Sequence, residues 1–364
     1  MRRGWWVLRR RLVCGGILVG LIATGALAGT PSEAAEMPGR VAEQEGLKLK
    51  VDHKYIPKPE ELKYVFATAA PVLRVQPGDT VQTWTQSALG DYLQKPGDSL
   101  PADFRPNPNT GPFYVEGAEP GDTLAVTLLL IAPASDTAVG IAGPGFGALT
   151  QTRFTPMLDE PIEEKVWFYR IDTVNQTVEY AANDSDFTVK LPLRPFLGCL
   201  AVAPAAGEAR QTIVPGFFGG NMDTPEVRAG TTVYLPVNVA GGLLYLGDGH
   251  AVQGEGEIAG TAAEVAMNVI FQVDLIKGNS IQTPRMEDET YLMALGSYRP
   301  LEDAMRIASR ELIRWMVEDY GLSALDAYEL LSVAMESNVS QLVDPNYSVL
   351  VKIKKEYLPA KKNQ

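Results

Sequence analysis

Short runs of alternating polar and apolar residues, separated by turn residues, fill residues 65–133. Val72-Leu73-Arg74-Val75 is followed by Gln76-Pro77-Gly78-Asp79 and then Thr80-Val81-Gln82-Thr83-Trp84. A Pro-Gly pair suits a type II turn, because Pro fixes φ at the second position and Gly accepts positive φ at the third. The phrase returns at Glu119-Pro120-Gly121-Asp122-Thr123 and, weakened, at Arg228-Ala229-Gly230-Thr231-Thr232. Three turn-then-strand units predict a β-sandwich or barrel-like core. Residues 134–155 are rich in Gly, Ala and Pro and read as surface loop. Residues 166–189, 191–214 and 258–276 read as further strands. The period changes near Arg299. Leu301, Met305, Ala308, Leu312, Trp315 and Met316 fall at helical spacing after Pro300, which suits a first helical position. Gly321 supplies a stop, and Ser323 with Asp326 resembles a capping box opening a second helix. Residues 349–353 read as a closing strand. The fold class expected is α+β: mainly β, in sandwich or barrel-like sheets, with two helices near the C-terminus.

The ends and the charge refine this picture. Residues 1–11 carry five arginines and no acid, residues 13–28 are uncharged and mostly apolar, and Ala26-Leu27-Ala28 supplies small residues at a cleavage site. Residues 1–28 are therefore read as a signal peptide, residues 29–59 as a flexible leader and residues 60–364 as the globular body. The expected location is periplasmic or extracellular. Loss of the five arginines would take the net charge from −12 to −17. A chain that acidic disfavours nucleic acid and anionic membrane surfaces as partners. After cleavage no membrane segment is expected, and Cys199 alone remains, so no internal disulfide is expected.

The stretch richest in candidate chemistry is residues 219–264. Gly219-Gly220-Asn221-Met222-Asp223 opens it, and Gly247-Asp248-Gly249-His250-Ala251-Val252-Gln253-Gly254-Glu255-Gly256-Glu257 lies further on. Glycine lets backbone approach a ligand closely. Asp223, Asp248, His250, Glu255 and Glu257 are oxygen and imidazole donors suited to a divalent cation. One apolar strand separates the two phrases, so they can meet at one end of a sheet. Glu257 and Glu264 sit in or beside an apolar run, where an unpaired carboxylate is costly to bury. Cys199 reads as a small core residue. No Gly-x-Ser-x-Gly elbow, P-loop or His-Glu-x-x-His is present.

Three phrases in order carry a family resemblance. The segment from Thr110-Gly111-Pro112 through Val115, Gly117-Ala118-Glu119-Pro120-Gly121-Asp122 resembles one conserved phrase of the acetamidase/formamidase family. The Gly219-Gly220-Asn221-Met222-Asp223 and Gly247 to Glu257 phrases resemble two more. Tyr234-Leu235-Pro236-Val237 and Ser340-Gln341-Leu342-Val343 fit the same pattern. The resemblance implies metal-dependent hydrolysis of a short linear amide to carboxylate and ammonia, in a homo-oligomer. It implies Asn221, Asp223, Asp248, His250 and Glu257 as site residues. Together with the donor chemistry, this makes Glu257, His250 and Asn221 the expected catalytic residues and Asp223, Asp248, His250 and Glu255 the expected ligands of a divalent metal ion (zinc first, then calcium or manganese). Phe218 and the Tyr64-Val65-Phe66 stretch depart from the family, which carries histidine there, and Glu255 replaces its usual Asp. An exported binding protein with a degenerate site, or a hydrolase of a different amide or a cyclic imide, are the alternative readings.

Overall fold

The computed structural model describes residues 49–149 and 162–362 of the chain. The expected signal peptide, and the leader as far as residue 48, lie outside the described residues. The last part of the stretch read as leader is structured. His53–Tyr55 is a strand paired in parallel with Thr80–Thr85, and His53 Nε2 meets Asp79 Oδ2 at 2.8 Å. A three-residue edge strand is too short to show a period in the sequence.

The Pro-Gly phrases form the expected turns. Gly78, Gly121 and Gly230 have φ of +92°, +97° and +90°, the region a type II turn requires at its third position. The N–H of Asp79, Asp122 and Thr231 closes each turn onto the carbonyl of Gln76, Glu119 and Arg228, at 3.1, 3.0 and 3.1 Å.

The described residues form a nine-stranded, a five-stranded, a four-stranded and a two-stranded sheet, none closed into a barrel. The nine-stranded sheet runs from His53–Tyr55 through Thr80–Thr85, Met267–Ile276 and Thr123–Pro133 to Thr232–Pro236. It continues through Arg285–Glu287, Tyr291–Tyr298 and Tyr347–Lys354 to Glu336–Gln341. The five-stranded sheet has the order Gly219–Asn221, Phe196–Val202, Leu244–His250, Asn109–Val115, Leu73–Val75. Side chains of both sheets share one apolar core; Phe113 of the smaller sheet meets Phe271 of the larger edge to face at 5.5 Å. Each fully buried aliphatic or aromatic side chain of this kind contributes about 1.5–3 kcal/mol relative to exposure.

Helix α1 (Leu301–Tyr320) and helix α2 (Ala324–Ala334) cover the other face of the large sheet. Successive side chains of a strand point to opposite faces, so Met293 and Leu295 enter the inter-sheet core while Leu292 and Ala294 pack under the helices. Pro300 caps α1 from just outside, one residue before its expected place. Gly321 ends α1 at φ +76°, and the Ser323 hydroxyl accepts the Asp326 N–H at 3.1 Å.

Two loop and strand expectations need correction. Thr137–Ala142, inside the expected 134–155 loop, is a strand of the four-stranded sheet with Lys165–Asp172, Thr177–Ala181 and Thr188–Pro192. Its one glycine reflects crowding: a Cβ on Gly140 would meet the Tyr169 hydroxyl at 2.9 Å. Conversely, the strand expected over residues 258–276 begins only at Met267. Residues 258–266 are irregular, and within them buried Glu264 forms isolated bridges with Val139 and His250.

Candidate active site

The two glycine-rich phrases meet across one strand. Gly219–Asn221 and Leu244–His250 flank Phe196–Val202, and Cys199 lies opposite Asn221 on one side and Gly247 on the other. Gly198 is the floor. A Cβ there would sit 2.4 Å from Asp248 Oδ2 and 2.5 Å from Asp223 Oδ1, so the two carboxylates converge only because no side chain intervenes. Asp223, Asp248 and Glu257 all have positive φ, at 47°, 59° and 47°. Such left-handed backbone costs on the order of 1–3 kcal/mol per non-Gly residue and clusters at functional sites. Here it turns each acid inward.

His250 is the hub. Its Nε2 lies 3.1 Å from Glu264 Oε2, 3.3 Å from Asp248 Oδ1 and 4.0 Å from Glu257 Oε1. Its other nitrogen, Nδ1, lies 2.8 Å from Gln253 Oε1. Gln253 cannot be flipped, because its Nε2 donates to the carbonyls of Asp223 (2.8 Å) and Ser340 (2.9 Å). Nδ1 is therefore the donor to Gln253, which leaves Nε2 facing the carboxylates. The edge of the Phe196 ring packs on the imidazole at 4.9 Å.

An amide relay orders the acids on the far side. Asn221 Oδ1 accepts from Asn107 Nδ2 and from the Cys199 thiol, each at 2.8 Å. Its Nδ2 donates to Asp223 Oδ2 at 2.9 Å and to Asp344 Oδ2 at 2.6 Å. Both lone pairs and both protons of the Asn221 amide are thus used. Asn107 also donates to Asp248 Oδ2 at 3.1 Å.

Five carboxylates, those of Asp223, Asp248, Glu257, Glu264 and Asp344, are buried around one imidazole. Burial, reinforced by the Glu257, Asp344 and Asp248 carboxylates, pushes Asp223 well above the usual range. Burial likewise raises Glu257 and Glu264 against the opposing pull of His250. Asp344 is pushed up to about 7 by burial, although the Asn221 hydrogen bond opposes this. Burial alone would lower His250, but the adjacent Glu264 and Asp248 carboxylates outweigh it and raise the imidazole well above its ordinary value. Burial and the neighbouring Asp248 and Asp223 charges raise the Cys199 thiol, which rules it out as a ready nucleophile.

Such a cluster requires protons or a cation for its charge. The donor geometry fits a cation. The ligand atoms of Asp223, Asp248 and His250 lie within 4.8 Å of one another, as do those of His250, Glu257 and Glu264. One buried oxygen in each group, Asp223 Oδ1 and Glu264 Oε2, has no hydrogen-bond partner. Glu264 Oε2 is close to the imidazole, but the angle does not make a hydrogen bond. One imidazole with several carboxylates is a donor set for a divalent ion.

The structure thus gathers Asn221, Asp223, Asp248, His250 and Glu257, and leaves Glu255 out. Glu255 is exposed and belongs to neither ligand group. It stands at the tip of a turn in which positive φ at Glu257 directs that side chain inward instead. Glu264, and not Glu255, is the further acid brought within reach of His250. Its carboxylate in an apolar run was the signal. Asp344, Asn107 and Gln253 are further members of the cluster; Asp344 directly follows the Ser340 to Val343 phrase, and Gln253 lies within the Gly247 to Glu257 phrase. Phe218, at a position where the family carries histidine, is buried against Phe66 with ring centroids 5.8 Å apart.

A cleft of about 530 Å³ reaches Glu257 between Tyr169, Leu191, Val252 and Ile258. A separate cleft of about 470 Å³ beside Phe218 and Arg310 touches none of the five carboxylates.

Comparison with known proteins agrees with this architecture. The sequence model of the Acetamidase/Formamidase family matches residues 197–358. The crystal structure of an acetamidase from Yersinia enterocolitica superposes with a TM-score of 0.77 at 38% identity, over 86% of this chain and 94% of that one. An acetamidase from Bacillus halodurans gives 0.74 at 32% identity, over 84% of this chain and 98% of that one. A formamidase of Methylophilus methylotrophus is 27% identical over 347 residues, covering 76% of this chain and 84% of the relative. The shared fold spans nearly the whole of these solved acetamidases, and the chain belongs to the acetamidase/formamidase family of amidohydrolases.

Proposed function

We propose that this chain hydrolyses a linear amide to a carboxylate and ammonia, and that a divalent cation at the buried acid cluster assists the reaction. The observation that carries the reading is the orientation of His250. Gln253 commits Nδ1 as a donor, so Nε2 is the ring atom that faces the Asp248 and Glu264 carboxylates. That arrangement needs a proton on Nε2 or a cation between the ring and the carboxylates, and the carboxylate oxygens Asp223 Oδ1 and Glu264 Oε2, without hydrogen-bond partners, favour the cation.

Asp223, Asp248, His250 and Glu264 would hold the cation. When bound, it supplies Lewis acidity, polarising the amide carbonyl and lowering the pKa of water. Zinc is the first candidate, with calcium or manganese as alternatives. Glu257 is the carboxylate of the cluster that lines the cleft, and burial raises its pKa above the usual carboxylate range, as a group that both takes and gives a proton requires. In this reading Glu257 takes a proton from the attacking water and delivers it to the departing nitrogen. The carbon–oxygen bond forms, the carbon–nitrogen bond breaks, and ammonia leaves. Asn221 and Asn107 act as positioning residues that hold Asp223, Asp248 and Asp344 in register.

Ammonia release from acetamide, abolished by chelation and restored by added cation, tests this reading. Export to the periplasm or the exterior, on the strength of residues 1–28, belongs to the same proposal. The N-terminus of the secreted chain, expected at Gly29, tests it. A homo-oligomer is also proposed, with its mass in solution as the test.

A further inference from the structure

We propose that the amide substrate carries a large apolar or aromatic acyl group, seated in the cleft between Tyr169, Tyr180, Leu191 and Ile258. This inference rests on the amidase reading of the same site. The cleft that reaches Glu257 holds about 530 Å³, within the range that encloses a ligand of many heavy atoms. A one- or two-carbon amide would leave most of it to water. Leu191, Val252 and Ile258 line it together with the two tyrosines, so its walls are largely apolar.

The aromatic wall belongs to the four-stranded sheet, and that sheet is tied to the acid cluster. Val139 and Glu264 exchange two backbone hydrogen bonds, each 2.9 Å. Tyr169, on the neighbouring strand, pairs with Ala138, so its ring stands one residue from that tie. The absence of a side chain at Gly140 lets the Tyr169 hydroxyl lie across the strand. The Tyr169 and Tyr180 rings are 6.2 Å apart and inclined at 41°, and Tyr180 is followed outward by the exposed Phe187 at 6.4 Å. Aromatic groups favour partners at such spacings. The row therefore continues from the buried acids to solvent as a surface for an aryl or branched acyl group.

Ammonia release from phenylacetamide and from acetamide by the same metal-loaded enzyme tests the inference. The expected kcat/KM for phenylacetamide exceeds that for acetamide by about tenfold or more, as burial of the ring predicts. Tyr180→Ala and Leu191→Ala each remove part of the wall. Each should lower the ratio by about threefold or more, chiefly through KM for phenylacetamide. Equal or better use of acetamide overturns this inference and leaves the amidase reading in place. Release from neither substrate overturns both. A ratio unchanged in both variants, with unchanged circular dichroism, also overturns the inference.

Discussion

The side-chain oxygen of Gln253 lies 2.8 Å from Nδ1 of His250, while its nitrogen is committed to the carbonyls of Asp223 and Ser340. One amide thus fixes the tautomer of the only histidine in the cluster and ties it to the backbone of Asp223, a neighbouring acid. Partners of this kind orient a metal-binding imidazole, and their loss commonly costs about 10–100-fold in metal affinity or activity. Gln253→Leu should therefore lower cation affinity by about that factor. Competition against a chelator of known strength measures it. An affinity equal to wild type would remove Gln253 from the site.

Glu257 is assigned the proton transfer. Glu257→Gln keeps the shape and removes the base, so kcat should fall by about 10²–10⁴-fold while the fold remains. Steady-state ammonia release, with circular dichroism on the same sample, checks this. Full activity in the variant would assign the proton transfer elsewhere.

Gly198 is the floor on which two carboxylates converge. In Gly198→Ala the new Cβ would stand 2.4 Å from Asp248 and 2.5 Å from Asp223, far inside contact distance. The carboxylates must separate, at a cost of about 1–3 kcal/mol as for other overpacked sites. The expected outcome is a lower melting temperature together with weakened cation binding. A variant that melts and binds as the wild type does would contradict the convergence.

The acid cluster makes the stability of the metal-free chain fall with rising pH. Asp344 titrates at about 7 in the fold, against about 3.9 for an unfolded aspartate. Between these values the folded chain keeps a proton that the unfolded chain has released, so stability declines as pH rises through the window. Burial shifts Asp223, Glu257 and Glu264 the same way. His250 is also raised; its stabilisation is present below the unfolded value of about 6.5 and is lost as pH climbs through the folded one. A bound cation takes over from the protons. The gap in melting temperature between loaded and chelated protein should therefore widen from about pH 5 to about pH 8. Thermal melts across that range measure it, and a gap that narrows with pH would contradict the charge balance described.

Much of this site was legible in the chain because it is local. Asp248, His250, Gln253 and Glu257 lie within ten residues, and their glycine spacing marks a place where backbone must bend. The Pro-Gly turns at Gly78 and Gly121 were legible for the same reason: each is a four-residue device with its own hydrogen bond. The long-range members were not. Asp344 reaches Asn221 across 123 positions and Asn107 reaches Asp248 across 141, and no periodicity records such pairings. Glu255 and Glu257 differ by a backbone angle, which spacing alone does not reveal. Glu264 carried a signal, an acid in an apolar stretch, but its ligand place depends on an irregular segment that reads as strand.

The most direct test of the central claim is made on one preparation of the purified chain. Bound metal is quantified and ammonia release from formamide, acetamide and phenylacetamide is followed, before and after chelation and again after the ion is restored. The account predicts a stoichiometric divalent ion, turnover of at least one amide, loss of turnover on chelation and recovery on restoration. Turnover that persists in protein freed of metal would contradict the role given to His250 and the carboxylates around it.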